Sequence, residues 1–164
     1  MKIKIDLTVL NYNGGPQVQI IHNNKLYFEG KLSSKGYKHI DIDTQDIFPT
    51  KLIIRHHGKN MKYDTKLENG NILDDKAFII NKIKLNEYSL QHELHTFPLI
   101  NNGKVVDKTN YIGYNGDYII DIDSKDLSSW YWKLQKSFVH KLEEFDYYAF
   151  KDEIFGTKNY EIEY

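Results

Sequence analysis

Apolar and polar residues alternate along much of the first two thirds of the chain, and this period of two is typical of β-strands with one buried face. The first such strand would bury Ile3, Ile5, Leu7 and Val9. Turn signals separate the alternating runs, among them Asn23-Asn24 and Asn115-Gly116, and the second predicts a hairpin. The strand after it would bury Tyr118, Ile120 and Ile122. Turns at this spacing favour an antiparallel sandwich over alternating β and α units.

Composition supports strands through most of the chain and a change of structure near its end. Aromatic residues make up 14% of the chain, and alanine, the best helix former, occurs only at Ala77 and Ala149. In the last 38 residues the apolar side chains recur near helical spacing, at Leu127, Trp130, Leu134, Phe138, Leu142 and Phe145. Ser124 or Asp126 could cap such a helix. The predicted fold is all-β: a jelly-roll-like antiparallel β-sandwich over residues 1–126, followed by a helical or extended arm over residues 127–164.

Charge and composition also exclude several classes of partner. The formal net charge is -1 and the charges are evenly spread, so no basic surface is expected to bind nucleic acid. The chain has no cysteine, which excludes disulfides, thiolate metal sites and thiol nucleophiles. No apolar run approaches the roughly 20 residues of a membrane span. The opening MKIKIDLTVL lacks a continuous apolar segment and predicts a strand, not a signal peptide.

An acidic, Asn- and Gly-rich turn between residues 64 and 75 is the strongest candidate for a metal site. Its oxygen-bearing side chains are Asp64, Glu68, Asn69, Asn71, Asp74 and Asp75. Calcium prefers six to eight oxygen ligands from a flexible loop, and clustered carboxylates repel one another unless a cation neutralises them. The predicted ligands are Asp64, Glu68, Asp74 and Asp75. The spacing is not that of an EF-hand, and a solvated hairpin turn would have a similar sequence.

The sequence carries no recognisable catalytic motif, and we do not expect an enzyme. His56 and His57 are adjacent and would point to opposite faces of a strand, while His92 and His95 lack the HExxH spacing of zinc proteases. There is no GxSxG elbow, no phosphate-binding loop and no cysteine nucleophile. Adjacent carboxylates such as Asp74-Asp75 are poorly placed to flank a glycosidic bond.

Aromatic residues cluster at the start of the predicted arm. Trp130, Tyr131 and Trp132 are consecutive, so at least one ring must point away from any single buried face. Exposed Trp and Tyr are typical of protein interfaces and of platforms on which sugars stack. The predicted partner-binding residues are Trp130, Tyr131, Trp132 and Phe138. The alternative is that one Trp lies in the core and the other covers a surface groove.

The sequence resembles two families, one over about its first half and the other over its whole length. Residues 1–88, with the pattern KIKIDLTVLNYNGGPQVQIIHNNKLYFEG and a later IKLNEY turn, resemble the small β-sandwich of calcium-dependent xylan-binding modules. That resemblance implies calcium at Asp64, Asp74 and Asp75, although the loop is short and has no aromatic residue to stack on a sugar. The whole chain, and its TNYIGYNGDYIIDI segment, is similar to uncharacterised small proteins of tailed bacteriophages, which implies a virion or accessory role.

These observations lead to two functional expectations. The main one is a non-enzymatic structural or decorating component of a tailed-phage virion, assembled in the host cytoplasm. Its aromatic arm would bind neighbouring virion proteins or other copies of the chain. The alternative is a calcium-dependent carbohydrate-binding module that binds a surface glycan. Neither expectation includes a nucleic-acid or membrane partner.

Overall fold

The computed structural model describes residues 1–10, 14–60 and 62–139, and almost all regular structure within these ranges is β-strand. The strands are β1 Lys2–Val9, β2 Gln17–His22, β3 Lys25–Lys31, β4 Gly36–Asp43, β5 Thr50–His57, β6 Thr65–Glu68, β7 Asn71–Asp75, β8 Phe78–Leu85, β9 Tyr88–Leu90, β10 Pro98–Asn101, β11 Lys104–Lys108, β12 Tyr111–Ile112 and β13 Gly116–Ile122. A short 3-10 turn spans Leu94–Thr96. Residues 127–139 form a helix, α1.

The strands form two antiparallel sheets and a separate hairpin. Sheet A has the order β12-β8-β1-β4, with β9 also paired to β8, and sheet B has the order β11-β10-β13-β5-β2-β3. Strands β6 and β7 pair only with each other among the described residues. This architecture confirms the predicted antiparallel, jelly-roll-like β-sandwich.

The core lies between the two sheets and is built from the alternating apolar residues. Ile5 of β1 is fully buried and lies opposite Ile40 of β4 and Ile83 of β8. From sheet B, Tyr118 and Ile120 of β13 are also fully buried. Because side chains alternate between faces, a one-residue slip in any of these pairings would expose a whole apolar row to water. The period-two pattern therefore sets both the buried face and the register.

The Asn115-Gly116 turn does not form the predicted hairpin. Strand β12 pairs with β8 in sheet A, whereas β13 pairs with β5 and β10 in sheet B, so this turn carries the chain from one sheet to the other. A Cβ atom on Gly116 would lie 2.6 Å from the carbonyl oxygen of Ile100, which explains the need for glycine there. The local turn signal was right, but the pairing of the flanking strands depends on more distant residues.

Helix α1, the described part of the predicted arm, packs against the sandwich. Asp126 caps it by accepting a 2.7 Å hydrogen bond from the backbone N–H of Ser129. Leu127 and Trp130 belong to the hydrophobic core, and the Trp130 indole donates to the carbonyl of Asp121 at 2.9 Å. The Trp130 ring also stacks on Phe97 with a centroid distance of 6.4 Å. The start of the arm is therefore part of the same core as the sandwich.

Other parts of the predicted arm lie outside the described residues. This group includes the expected helical positions Leu142 and Phe145. It also includes the aromatic residues Tyr147, Tyr148 and Phe150, which follow them in the sequence. No helix within residues 1–10, 14–60 and 62–139 is long and apolar enough to cross a membrane.

The two tryptophans of α1 provide a matched pair for testing the role of the helix. Trp130 is 4% exposed, whereas Trp132 is 59% exposed. Trp130→Ala should lower the free energy of unfolding by about 3–5 kcal/mol, because it leaves a cavity and an unpaired carbonyl. Trp132→Ala should change it by less than about 0.5 kcal/mol. Urea unfolding followed by circular dichroism measures both, and equal effects would contradict this packing of the helix.

Candidate functional site

Asp75, one of the predicted calcium ligands, lies in a buried hydrogen-bond network at the base of the β6–β7 hairpin. Its carboxylate receives hydrogen bonds from the Lys59 ammonium, from the Tyr111 hydroxyl and, at 2.8 Å, from the Thr65 hydroxyl. The Lys59 ammonium also donates to the carbonyl of Gly113. The side chains of Lys59 and Asp75 are 1% and 5% exposed. Both oxygens of Asp75 are therefore already bonded to protein groups.

The other predicted calcium ligands have different surroundings. Asp64 forms a 3.0 Å ion pair with Lys76 and accepts a hydrogen bond from the backbone of Asn60. Asp74 lies next to Asp75 on β7, where successive side chains point to opposite faces, and Glu68 is exposed on β6. Within residues 1–10, 14–60 and 62–139 there is no group of three or more His, Asp or Glu side chains placed to hold a metal ion. The expected convergence of four carboxylates is not found in the structure.

The backbone around Lys59 is held in place by Asn115. The side-chain amide of Asn115 accepts from the N–H of Lys59 at 2.9 Å and donates to its carbonyl at 2.7 Å. Lys59 has no signal in the sequence, because its partners Asp75, Gly113 and Asn115 lie 16, 54 and 56 residues away along the chain. No local pattern could have indicated these contacts.

A second polar site, which we call the Tyr27 cleft, lies near the opposite end of β5. Its volume is about 420 Å³, and it is lined by His22, Asn23, Lys25, Tyr27, Asp43, Thr44, Gln45 and Ile47. These residues come from the end of β2, the β2–β3 turn and the start of β3, and from the end of β4 and the connection between β4 and β5. Asn23 and Asn24 have φ of 49° and 62°, the left-handed conformation that a tight hairpin turn requires. The volume lies within the range of pockets that bind small ligands.

A chain of hydrogen bonds fixes the floor of the Tyr27 cleft. The His22 ring is buried, with Nδ1 3.0 Å from the Thr44 hydroxyl and Nε2 2.9 Å from the Thr50 hydroxyl. Thr44 in turn donates to the Tyr27 hydroxyl at 2.7 Å. Burial lowers the pKa of His22, so the ring is neutral at pH 7. The Lys25 ammonium lies 5.1 Å from the centroid of the Tyr27 ring.

A second cavity, of about 430 Å³, adjoins the Tyr27 cleft. It lies over strands β1 and β4 and is lined by Lys2, Ile3, Lys4, Asp41, Ile42 and Asp43. Asp43 lines both cavities. The polar surface around Asp43 therefore extends from the β2–β3 turn onto sheet A.

The four predicted partner-binding aromatics occupy different environments. Trp130 is buried in the core, so in this fold it is not available to a partner. Tyr131 is partly buried, with its ring centroid 4.7 Å from that of Tyr88. Phe138 lies with its ring edge-on to His95, at a centroid distance of 5.9 Å. Of the four, only Trp132 is largely exposed, which matches the alternative in which one Trp lies in the core.

The β-sandwich is similar to solved structures of a carbohydrate-binding module. One, described as vCBM60 in complex with galactobiose, has a TM-score of 0.47 and 10% sequence identity, and covers 74% of this chain and 98% of its own. The other is the selenomethionine form of vCBM60. Its description states that circular permutation provides an evolutionary link between two families of calcium-dependent carbohydrate binding modules. It has a TM-score of 0.50 and 10% identity, and covers 73% of this chain and 89% of its own. No family model and no curated protein matches the sequence.

The second of these structures defines the class of fold. This chain has the β-sandwich of the vCBM60 carbohydrate-binding module, at a sequence identity where the likeness concerns the fold alone.

Burial of His56, beside the Lys59 network, predicts a specific loss of stability in acid. Its Nδ1 donates to the carbonyl of Tyr114 at 3.0 Å, and its ring packs edge-on against Phe78. Burial lowers the pKa of His56 from 6.5 to about 4. The unfolded chain therefore binds a proton that the folded protein excludes. The contribution of neutral His56 to the free energy of unfolding should be complete above about pH 6.5. The free energy of unfolding should then fall by up to about 3 kcal/mol as the pH is lowered toward 4.

Urea unfolding between pH 4 and 7 tests this expectation. The matched variant is His56→Asn, whose amide can still donate to Tyr114 but does not titrate. The variant should show a smaller fall in stability over this range than the natural protein, whatever its stability at pH 7. Parallel pH profiles would contradict the assignment to His56.

Proposed function

We propose that this protein is a non-catalytic carbohydrate-binding module that binds a glycan in the Tyr27 cleft. The observation that carries the proposal is the composition of that cleft, which combines an aromatic ring with amide, carboxylate and ammonium groups. The sandwich fold shared with vCBM60, which is described among calcium-dependent carbohydrate binding modules, supports the same function. These findings favour the carbohydrate-binding alternative over a virion role.

The lining of the Tyr27 cleft suits the chemistry of a sugar. Each sugar hydroxyl can both donate and accept a hydrogen bond, so a sugar site needs both kinds of group at fixed positions. Asn23 and Gln45 supply amides that do both, Asp43 supplies an acceptor and Lys25 a donor. The Tyr27 ring provides an apolar surface for the C–H groups of a pyranose.

The hydrogen-bond chain beneath the cleft favours binding by a rigid surface. His22, Thr44 and Tyr27 are bonded to one another before any ligand arrives, so little side-chain entropy remains to be lost there. Both ring nitrogens of His22 are engaged by threonine hydroxyls, so neither is free to act as a general base on a ligand. The arrangement therefore supports recognition, not turnover.

The adjoining cavity indicates the size of the ligand. Asp43 lines both the Tyr27 cleft and the cavity over β1 and β4, where Lys2 and Lys4 supply further donors. A glycan of more than one sugar unit could contact both cavities and gain hydrogen bonds that a monosaccharide cannot make. We therefore expect an oligosaccharide to bind more tightly than its component sugar.

Substitutions of the exposed residues of the cleft test the proposal without disturbing the core. A glycan array identifies a ligand, and isothermal titration calorimetry measures its affinity. Asp43→Asn and Lys25→Ala should each weaken binding by about tenfold, the effect of losing roughly 1.4 kcal/mol of interaction. The matched controls are Asp107→Asn and Lys104→Ala, two exposed positions on β11. Absence of glycan binding, or equal affinities in all four variants, would contradict a sugar site in the Tyr27 cleft.

The calcium part of the carbohydrate-binding alternative stays a prediction. Calcium would need several convergent oxygens, and the carboxylates proposed for it are separated, with Asp75 and Asp64 each paired to a lysine. Among the described residues the donor set does not fit the ion. The proposed sugar site in the Tyr27 cleft therefore includes no metal ion.

The virion role remains a second, separate proposal. Trp132 is largely exposed on α1, and an exposed Trp is the kind of residue that dominates protein interfaces. Under this hypothesis the protein would be found in a phage particle and would bind capsid or tail proteins, or another copy of itself, through Trp132. Purified particles that contain the natural protein but exclude Trp132→Ala would support it. Particles that lack both would contradict it.

A further inference from the structure

We infer that the side-chain ammonium of Lys59 is the resident cation of the acidic hairpin, in the position for which the sequence predicts calcium. By acidic hairpin we mean residues 64–75, which include β6 and β7. The inference concerns the stability of the fold and stands whether or not the Tyr27 cleft binds a glycan.

Both carboxylate oxygens of Asp75 are occupied by hydrogen-bond donors of the protein. This carboxylate is 5% exposed and receives hydrogen bonds from Lys59, Thr65 and Tyr111. A buried carboxylate requires an opposite charge nearby, and the Lys59 ammonium supplies it from a side chain that is 1% exposed. A calcium ion at Asp75 would have to displace a covalently tethered cation that cannot diffuse away.

The hydrogen-bond acceptors around the Lys59 ammonium suit an ammonium group better than a calcium ion. An ammonium has three N–H donors, and that of Lys59 bonds both Asp75 and the carbonyl of Gly113. Calcium would need six to eight oxygens, and no group of three or more His, Asp or Glu side chains is placed to hold a metal in the described parts of the chain. The surroundings of Asp75 are therefore suited to an ammonium.

Lysines neutralise part of the negative charge of the acidic hairpin. Asp64, another predicted ligand, is paired in the same way with Lys76, at 3.0 Å. Two of the four predicted ligands are thus paired one-to-one with lysines. Among the described residues, the remaining two, Glu68 and Asp74, do not complete with them a group of three or more carboxylates placed to hold a metal ion. These two ion pairs reduce the negative charge that could attract a divalent ion to the hairpin.

The position of Lys59 explains why this cation matters for the fold. Its backbone is clamped by Asn115, and its ammonium joins Asp75 at the end of β7 to Gly113 in the link between the two sheets. Tyr111 of β12 bonds the same carboxylate. One lysine therefore connects the acidic hairpin to the segment that links the two sheets, a function that a metal ion performs in other small domains.

Thermal unfolding in millimolar calcium and in chelator provides the first test. A ligand that binds the folded state raises the melting temperature. We expect the natural protein to give superimposable curves in the two conditions. A rise in calcium that is lost in Asp75→Asn would show that Asp75 binds the ion, and would overturn the inference.

Substitution of Lys59 provides the second test. Lys59→Met keeps an unbranched side chain, one atom shorter and without charge, and leaves Asp75 buried without its counter-charge, so it should lower the melting temperature by several degrees or more. The matched control is Lys66→Met, the same change at an exposed position of the same hairpin, and it should have little effect. Equal melting temperatures for the two variants would overturn the inference.

A double variant separates loss of charge pairing from a general packing defect. Lys59→Met combined with Asp75→Asn removes both charges and should be more stable than Lys59→Met alone, because no buried charge is left unpaired. If the single variant does not fold, recovery of folded protein in the double variant also supports the role of Lys59 as the counter-charge of Asp75. A double variant that is less stable than the single one would contradict the ion-pair role.

Discussion

The structure depends on burying the apolar faces of two antiparallel sheets against each other. Strand β1 contributes Ile3, Ile5, Leu7 and Val9, all without exposure to solvent, and β13 and β5 supply the facing side chains. Burial of each large aliphatic side chain stabilises the fold by about 1.5–3 kcal/mol, so these rows dominate the free energy of folding. Helix α1 extends the same core, because Trp130 packs on Phe97 beside β13.

Polar networks lie near the two ends of the sandwich, where the strands leave the core. Strand β5 connects them: Thr50, at its start, bonds His22 of the Tyr27 cleft, while Lys59 follows its end and pairs with Asp75. Each network links segments that are distant in the sequence. Their roles differ, since the Lys59 network is closed by its own partners whereas the Tyr27 cleft leaves amide, carboxylate and ammonium groups facing a cavity. The first therefore suits a structural role and the second suits ligand recognition.

If a glycan binds in the Tyr27 cleft and Lys59 is the cation of the acidic hairpin, the protein recognises sugar through protein groups alone. The fold is similar to that of vCBM60. The acidic hairpin of this chain contains two lysine–carboxylate pairs. A tethered ammonium has no dependence on the concentration of a free ion. Such a module would keep its fold in environments with little calcium.

The class of fold and the buried residues of most strands follow from the amino-acid sequence, because the period of two is a local property of each strand. The sequence also placed the helix near residue 127 and offered Asp126 as a cap. The strand pairing around Asn115-Gly116 and the burial of Trp130 in place of Trp132 depend on long-range packing. The same packing leaves the four acidic residues without a metal-binding arrangement among the described residues. The tertiary structure also revealed Lys59 and the Tyr27 cleft, whose partners are brought together by folding across 16 to 56 residues of chain. Local patterns report which face of a strand is buried, whereas charge pairing and cavities depend on neighbours that the sequence order does not indicate.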